Sequence, residues 1–392
     1  MSFGTPLAWN NLTHDVRRLL VAISGVAFAV ILIFMELGFL NALLESTVQV
    51  LRRLNGEIVI VSSAQYALMA GERFDLRRVY QAREVVGVAS AAPVYLETTT
   101  GVMRNRNERG YPIRVLAVHE QDDALRIPEL DTYQFELATP GAALGDVTSR
   151  AEYGIPTFPH EFRAELDRER DLNGKPLRLV GPFQLGVDFS TDGNLLMSAD
   201  NFARFFAQRS RTGHPLSVVD LGVVKLLPDA DVFKVLAELR AALPSDVEPV
   251  LREELIEREM TFWRTNAPLG YIFLVGAVMG FVVGIVICYQ IIHADISDHL
   301  REFATLKAMG YQGPFFIRLV LLQSMYLSLL GFVPGVAISY LAYHLLSYLT
   351  GLTMQLTLPL AFTVLAVTAV MCVVSGLLAV NKLLLADPAE LF

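Results

Sequence analysis

Between Ala267 and Ile292 the chain reads APLGYIFLVGAVMGFVVGIVICYQII, without one charged side chain. A helix needs about 20 apolar residues to cross roughly 30 Å of bilayer hydrocarbon, and this run supplies them. Working outward from it, three more stretches qualify: Leu19 to Leu44, which holds Glu36; Phe315 to Leu346, with Arg318 and His344 near its ends; and Leu358 to Val380. The predicted layout is an α-helical membrane protein with four transmembrane helices, at 19–44, 265–292, 315–346 and 358–380. A large α+β extracytoplasmic domain, 45–264, lies between helices 1 and 2. An N-terminal segment (1–18), a connection (293–314), a turn (347–357) and a tail (381–392) complete the chain. The first apolar run is long for a signal peptide and no A-x-A site follows Leu44, so it reads as an uncleaved anchor.

Composition supports this class. Of 392 residues 53% are hydrophobic and 18% charged, and the mean hydropathy is +0.43, above the range of soluble domains. A net charge of -8 argues against nucleic acid as a partner, since binding it requires a basic surface that displaces counterions. The Gly-Lys pair at Gly174-Lys175 is followed by Pro176, which excludes a Walker A loop and ATP hydrolysis by that route. Both cysteines, Cys288 and Cys372, fall in apolar runs, so the polar segment must fold without a disulfide. All but six of the 32 Lys and Arg lie within 45–264. Those six are Arg17, Arg18, Arg301, Lys307, Arg318 and Lys382, and they cluster on one side of the predicted spans. By the positive-inside rule both termini are cytoplasmic and the large domain is outside.

Within that domain, Glu57–Val61, Tyr111–Val118, Leu177–Leu185, Leu195–Met197 and Val218–Leu226 read as strands, and Phe74–Ala82 and Asp231–Leu243 as helices. The Pro-rich stretch from 131 to 175 suggests an insertion or a second lobe. The charged segment Leu251–Arg264 predicts a helical stalk continuing into helix 2, which would couple domain motion to membrane motion. His119 with Glu120 and Asp122, and His160 with Glu161, lack metal-site spacing. Ser190-Thr191-Asp192-Gly193 reads as a turn, not a catalytic loop. No catalytic residue, metal site or bound cofactor is expected.

Four features remain as carriers of mechanism. In the 293–314 connection, Ile296, Leu300, Phe303, Leu306 and Met309 fall on one helical face, and Gly310 supplies a stop. An amphipathic moment leaves open whether lipid or a partner protein covers that face. Gly276, Gly280 and Gly284 stand at every fourth position and let another helix approach closely, either in this chain or in a second copy. Gly331, Pro334 and Gly335 mark a kink and a candidate hinge. Glu36 is an intramembrane acid, costly enough to be a functional candidate; only His344 could partner it, which weakens a proton-relay reading.

The run Leu300-Arg301-Glu302-Phe303-Ala304-Thr305-Leu306-Lys307-Ala308-Met309-Gly310 and the tail Asp387-Pro388-Ala389-Glu390-Leu391 resemble motifs of the FtsX, MacB and LolC/LolE permease superfamily. More narrowly, Pro6 to Leu12 before Arg17 to Leu20, and Val180 to Phe183 with Asp192 to Ser198, resemble the DevC branch. The resemblance implies a homodimeric permease subunit of an ABC exporter, in the inner membrane. A separate ABC ATPase would carry ATP and Mg, and Leu300 to Gly310 would form the coupling segment. A periplasmic adaptor and an outer-membrane channel would complete the path for an envelope amphiphile such as a glycolipid. The alternative is an FtsX-like signalling subunit that activates an external cell-wall hydrolase. Its usual external domain is smaller than the one here, which favours export.

Overall fold

In the computed structural model the described residues are 9, 12–68, 72–104, 109–157, 162, 169–188, 191–210, 213–266, 268–298, 302, 305–307, 309–350, 352 and 354–385. They form two compact units: Met1–Ala42, Pro268–Leu349 and Met354–Phe392 make one, and Leu43–Ala267 with Thr350–Thr353 make the other. The chain enters through α1 (Val16–Thr47). Asp15 starts this helix, its Oδ1 accepting the N–H groups of Arg17 at 3.0 Å and Arg18 at 3.2 Å, which satisfies donors that a helix N-terminus leaves unpaired.

The inserted domain follows as β1 (Ile58–Ser62), β2 (Phe74–Asp75), α2 (Arg77–Arg83), β3 (Val88–Glu97), β4 (Val102–Arg104), β5 (Gly110–Pro112) and β6 (Arg114–Val118). It continues through β7 (Ala142–Asp146), β8 (Glu169–Leu172), β9 (Lys175–Phe183), β10 (Asn194–Ser198) and α3 (Ala199–Phe205). It closes with β11 (Val218–Val219), β12 (Leu221–Leu226), α4 (Val232–Ala242), β13 (Val247–Leu251) and α5 (Arg252–Thr265). An 11-stranded sheet runs in the order β13-β1-β12-β3-β6-β10-β7-β9-β8-β4-β5. Its pairing is mostly antiparallel, with β6 and β10 parallel, and β7 and β9 parallel.

Strand periodicity explains the layers. Successive side chains point to opposite faces, so Ile58, Ile60, Val115 and Ala117 meet Val79 of α2, Phe202 of α3 and Leu239 of α4 in one core. Val59, Val61, Leu116 and Val118 meet Val50, Leu51 and Ile256 of α5 in another. A sheet covered on both faces has nearly continuous apolar strands, which is why Ile58-Val59-Ile60-Val61 shows no alternation.

Several boundaries differ from the sequence expectation. Phe74–Asp75 is a short strand paired with Val218–Val219, and the helix starts only at Arg77, whose N–H donates to Asp75 Oδ1 at 2.8 Å. The run Val218–Leu226 is two strands divided at Asp220. Among the described residues of 131–175, β7 inserts between β10 and β9 in the main sheet and does not build a second lobe, because Ala142 to Leu144 is apolar enough to be buried there.

Past the domain, α6 (Pro268–Asp298), α7 (Gly313–Thr350) and α8 (Leu358–Leu385) join α1 in the first unit. All four helices are long and apolar enough to cross a membrane. The stalk is not continuous with α6: α5 ends at Thr265, with Asn266 as its C-cap, and α6 begins at Pro268, a residue suited to a helix start. α6 runs past Ile292 to Asp298 because Ile292 and Ile296 are both buried in the bundle core. α7 extends unbroken through Pro334.

Candidate coupling segment and helix seams

Of the segment Leu300 to Gly310, residues Leu300, Arg301, Phe303, Ala304 and Ala308 lie outside the described residues, as does the tail from 386. Glu302 and Thr305–Lys307 are helical, with Glu302 exposed. Leu306 packs against the bundle core, whereas Met309, placed by periodicity on the same face, is exposed. The reason lies in the helix end. The Tyr311 N–H donates to Leu306 O at 3.2 Å and the Gly310 N–H to Lys307 O at 3.1 Å, while Gly310 has φ +96°. This is a Schellman stop with glycine at the position that must turn left-handed, and Met309 stands at the last helical turn, swung off the packed stripe. Tyr311 then packs on Phe315 of α7, ring centroids 4.6 Å apart.

Gly276, Gly280 and Gly284 of α6 lie against other helices of the same chain. A Cβ on Gly276 would lie 2.4 Å from Cδ of Glu36, and one on Gly284 2.0 Å from Sδ of Met371 in α8 and 3.0 Å from Ala29 of α1. Gly280 faces Leu32 and Ile33. Glu36 therefore lies in the seam between α1 and α6, one turn from the stacked rings of Phe39 and Phe273, 5.7 Å apart. His344 is exposed and set edge-on to Tyr340 at 4.5 Å. Gly331 and Gly335 of α7 seat Val26 and Val30 of α1, where added Cβ atoms would lie 2.5 and 2.6 Å from valine carbons. The candidate hinge thus coincides with a tight α1–α7 contact, reinforced by the Tyr343 hydroxyl donating to Phe34 O. On the other side of α6, Ser375 Oγ donates to Ile285 O at 2.9 Å, and Cys288 and Cys372 meet at 3.7 Å between sulfurs.

Residues 274–388 match the family model of the FtsX-like permease C-terminal domain. This FtsX-like stretch takes in most of α6, the connection, α7 and α8. The chain is a multi-pass membrane protein whose last three spans fall largely within that stretch. Among solved structures, the periplasmic region of MacB from Actinobacillus actinomycetemcomitans is similar at 11% identity and a TM-score of 0.36, covering 52% of this chain and 92% of that one. The extracellular domain of YknZ, a noncanonic ABC-type transporter from Gram-positive bacteria, is similar at 12% identity and a TM-score of 0.33, covering 50% and 100%. The chain has no match among curated proteins.

Outside the FtsX-like stretch, the polar groups of the inserted domain serve its architecture. His119 lies 3.4 Å from the Tyr95 hydroxyl; His160, Glu161 and Ser190 lie outside the described residues. Thr191 donates to Asp188 Oδ1 at 2.8 Å, and Asp188 pairs with buried Arg114, so this turn is anchored to β6. Sequence reasoning missed two buried clusters. In one, Arg114 donates to Asn194 Oδ1 at 2.8 Å, and Asn194 Nδ2 to Asp146 Oδ2 at 2.6 Å. In the other, Asp220 pairs with Arg209 and, at 3.3 Å, with Arg73, which also reaches Glu97 at 2.9 Å. Burial pushes the Asp220 carboxyl up, against the pull of Arg209. Burial would raise Glu97 too, but the Thr100 and Thr99 N–H groups and Arg73 together hold it low. The available signal was an acid inside an apolar run, Val218-Val219-Asp220-Leu221.

Proposed function

We propose that the chain is the permease subunit of an ABC exporter of the DevC type. A separate ATPase subunit docks at Arg301 to Gly310, and its cycle moves the inserted domain on the outer side of the membrane to export an envelope amphiphile such as a glycolipid. Two copies, a periplasmic adaptor and an outer-membrane channel complete the assembly. The carrying observation is the FtsX-like match over 274–388 on a chain whose first apolar helix is separated from α6–α8 by a large α/β domain. The bundle favours transmission of motion over conduction. Buried hydroxyls such as Ser324, which donates to Val320 O at 2.9 Å, and Thr368, which donates to Val364 O at 2.7 Å, are turned back onto their own helices and away from any hydrophilic path.

The test is co-purification from native membranes with mass spectrometry, with and without a disrupted Arg301 to Gly310 segment. Recovery of an ABC ATPase and an adaptor, with only the ATPase lost on disruption, is the expected result. An ATPase recovered with a cell-wall hydrolase and no adaptor would favour the signalling role, and no ATPase at all would overturn both.

A further inference from the structure

Helix α5 reads as a charged, solvent-facing stalk, REELIEREMTFWRT, yet one of its acids sits on the inward face. Ile256, Glu259, Met260 and Trp263 share a stripe at helical spacing, and Glu259 is 3% exposed. Its two carboxyl oxygens are both used: Oε2 accepts the Leu68 N–H at 2.8 Å and Oε1 accepts the Trp263 indole N–H at 2.9 Å. The adjacent Arg258 donates to Gln65 O at 2.7 Å and to Glu248 Oε2 of β13 at 3.0 Å. Phe262 meets Tyr66, ring centroids 5.6 Å apart. The segment Gln65–Leu68 is thus strapped to α5 by Arg258, Glu259 and Phe262, within two turns of the helix. Beside it lies a cavity of about 10 Å³, lined by Gln65, Leu68, Leu255 and Glu259, close to the room one water needs. Gln65 Oε1 is buried there without a donor.

A buried carboxylate on a stalk is expensive unless it holds something in place. We propose that Glu259 is a positioning residue: it latches α5 to the Gln65–Leu68 strap, so that the stalk moves as part of the inserted domain and does not bend away from it. The inference rests on the permease reading above, which supplies the motion to be transmitted, and it locates the element that keeps α5 stiff. Protonation is coupled to the latch. Burial raises the Glu259 carboxyl, against the Leu68 N–H, the Trp263 indole and Arg258. The other titratable groups at this contact are Arg258 on α5, Glu248 on β13 and Tyr66 on the strap. Because burial raises this carboxyl above its value in the unfolded chain, the stability it contributes is present at low pH and is lost as pH rises through the raised value.

The test uses the full-length chain in lipid nanodiscs. Trp9 and Trp263 are its only tryptophans, so Trp9→Phe makes Trp263 the single reporter. Its emission should titrate with pH in the Glu259 background and stay flat in Glu259→Gln. The Leu68 amide should keep its hydrogen-exchange protection in Glu259→Gln, whose amide oxygen still accepts, and lose at least about tenfold in Glu259→Ala. Trp263→Phe, which removes only the indole donor, should give a smaller loss and guards against misfolding of Glu259→Ala. Unchanged Leu68 exchange in both Glu259→Ala and Trp263→Phe, or the same Trp263 titration in Glu259→Gln, would overturn the latch. With the ATPase partner present, nucleotide should alter exchange across α5. A latch that passes these tests in a complex blind to nucleotide would leave the latch standing and sink the export reading.

Discussion

Replacing Gly310 by Ala tests the coupling segment with little steric ambiguity. Gly310 has φ +96°, and a Cβ built on it would meet nothing within 4 Å. The whole cost of Gly310→Ala is therefore backbone conformation, about 1–2 kcal/mol for an L-residue forced left-handed. That corresponds to a shift of about 5–30-fold in the equilibrium between closed and frayed cap. The bonds at stake are Tyr311 N–H to Leu306 O and Gly310 N–H to Lys307 O. Their exchange protection should fall by that factor, and retention of the ATPase subunit should fall with it. Gly174→Ala is the control: Gly174 has φ +78° and likewise nothing within 4 Å, but it sits in the turn between β8 and β9. It should cost similar stability locally and leave ATPase retention untouched. Equal retention in the wild type and Gly310→Ala, despite a frayed cap, would refute the link between this helix stop and partner docking. Unchanged exchange would refute the Schellman geometry itself.

Other substitutions probe the two units separately. Asp220→Asn leaves Arg209 and Arg73 facing a neutral group in a buried site and should destabilise the inserted domain by about 3–5 kcal/mol, read as a lowered thermal midpoint of the full-length protein in detergent. Gly331→Ala places a methyl 2.5 Å from Val26 Cβ, a branched carbon that cannot rotate aside, and should cost about 1–3 kcal/mol. Gly280→Ala, whose nearest neighbours stand 3.5 Å away, should cost under about 1 kcal/mol because the added methyl meets only ordinary contact; the same thermal assay would expose an inverted order. Asp231→Ala removes the side chain that accepts the Phe233 N–H at 2.9 Å at the start of α4 and should cost about 1 kcal/mol.

Much of the layout was legible because it depends on one-dimensional quantities. The four apolar runs carry their lengths on their face, and the strands at Ile58–Ser62 and Asn194–Ser198 stand out as short apolar bursts. Asp231 is readable as a helix start because the cap is a contact within one turn. Sequence reasoning fails where a partner distant in the chain decides the state. Phe74–Asp75 carries helical periodicity but is claimed by β11, more than a hundred residues on. Val88–Glu97 gives no strand signal, although it pairs β12 on one side and β6 on the other, because Ser90, Ala91 and Ala92 are small and show no pattern.

The glycines illustrate the same limit at the candidate site. Spacing at Gly276, Gly280 and Gly284 states that a helix can come close, and it is silent on which one. The structure gives the seam to α1 and α8, leaving Ile272, Val275, Met279, Val282 and Val286 of α6 as an uncovered apolar stripe. A second copy that packs on α6 would meet that stripe and not the glycines. Met279→Ala should then weaken self-association without touching the fold, whereas Gly284→Leu should break the α6–α8 contact first. Crosslinking through cysteines introduced at Val275 and Val282 decides between them: crosslinks between copies place the dimer on this stripe, and crosslinks confined to cysteines placed at Gly276 and Gly280 would overturn the intrachain seam.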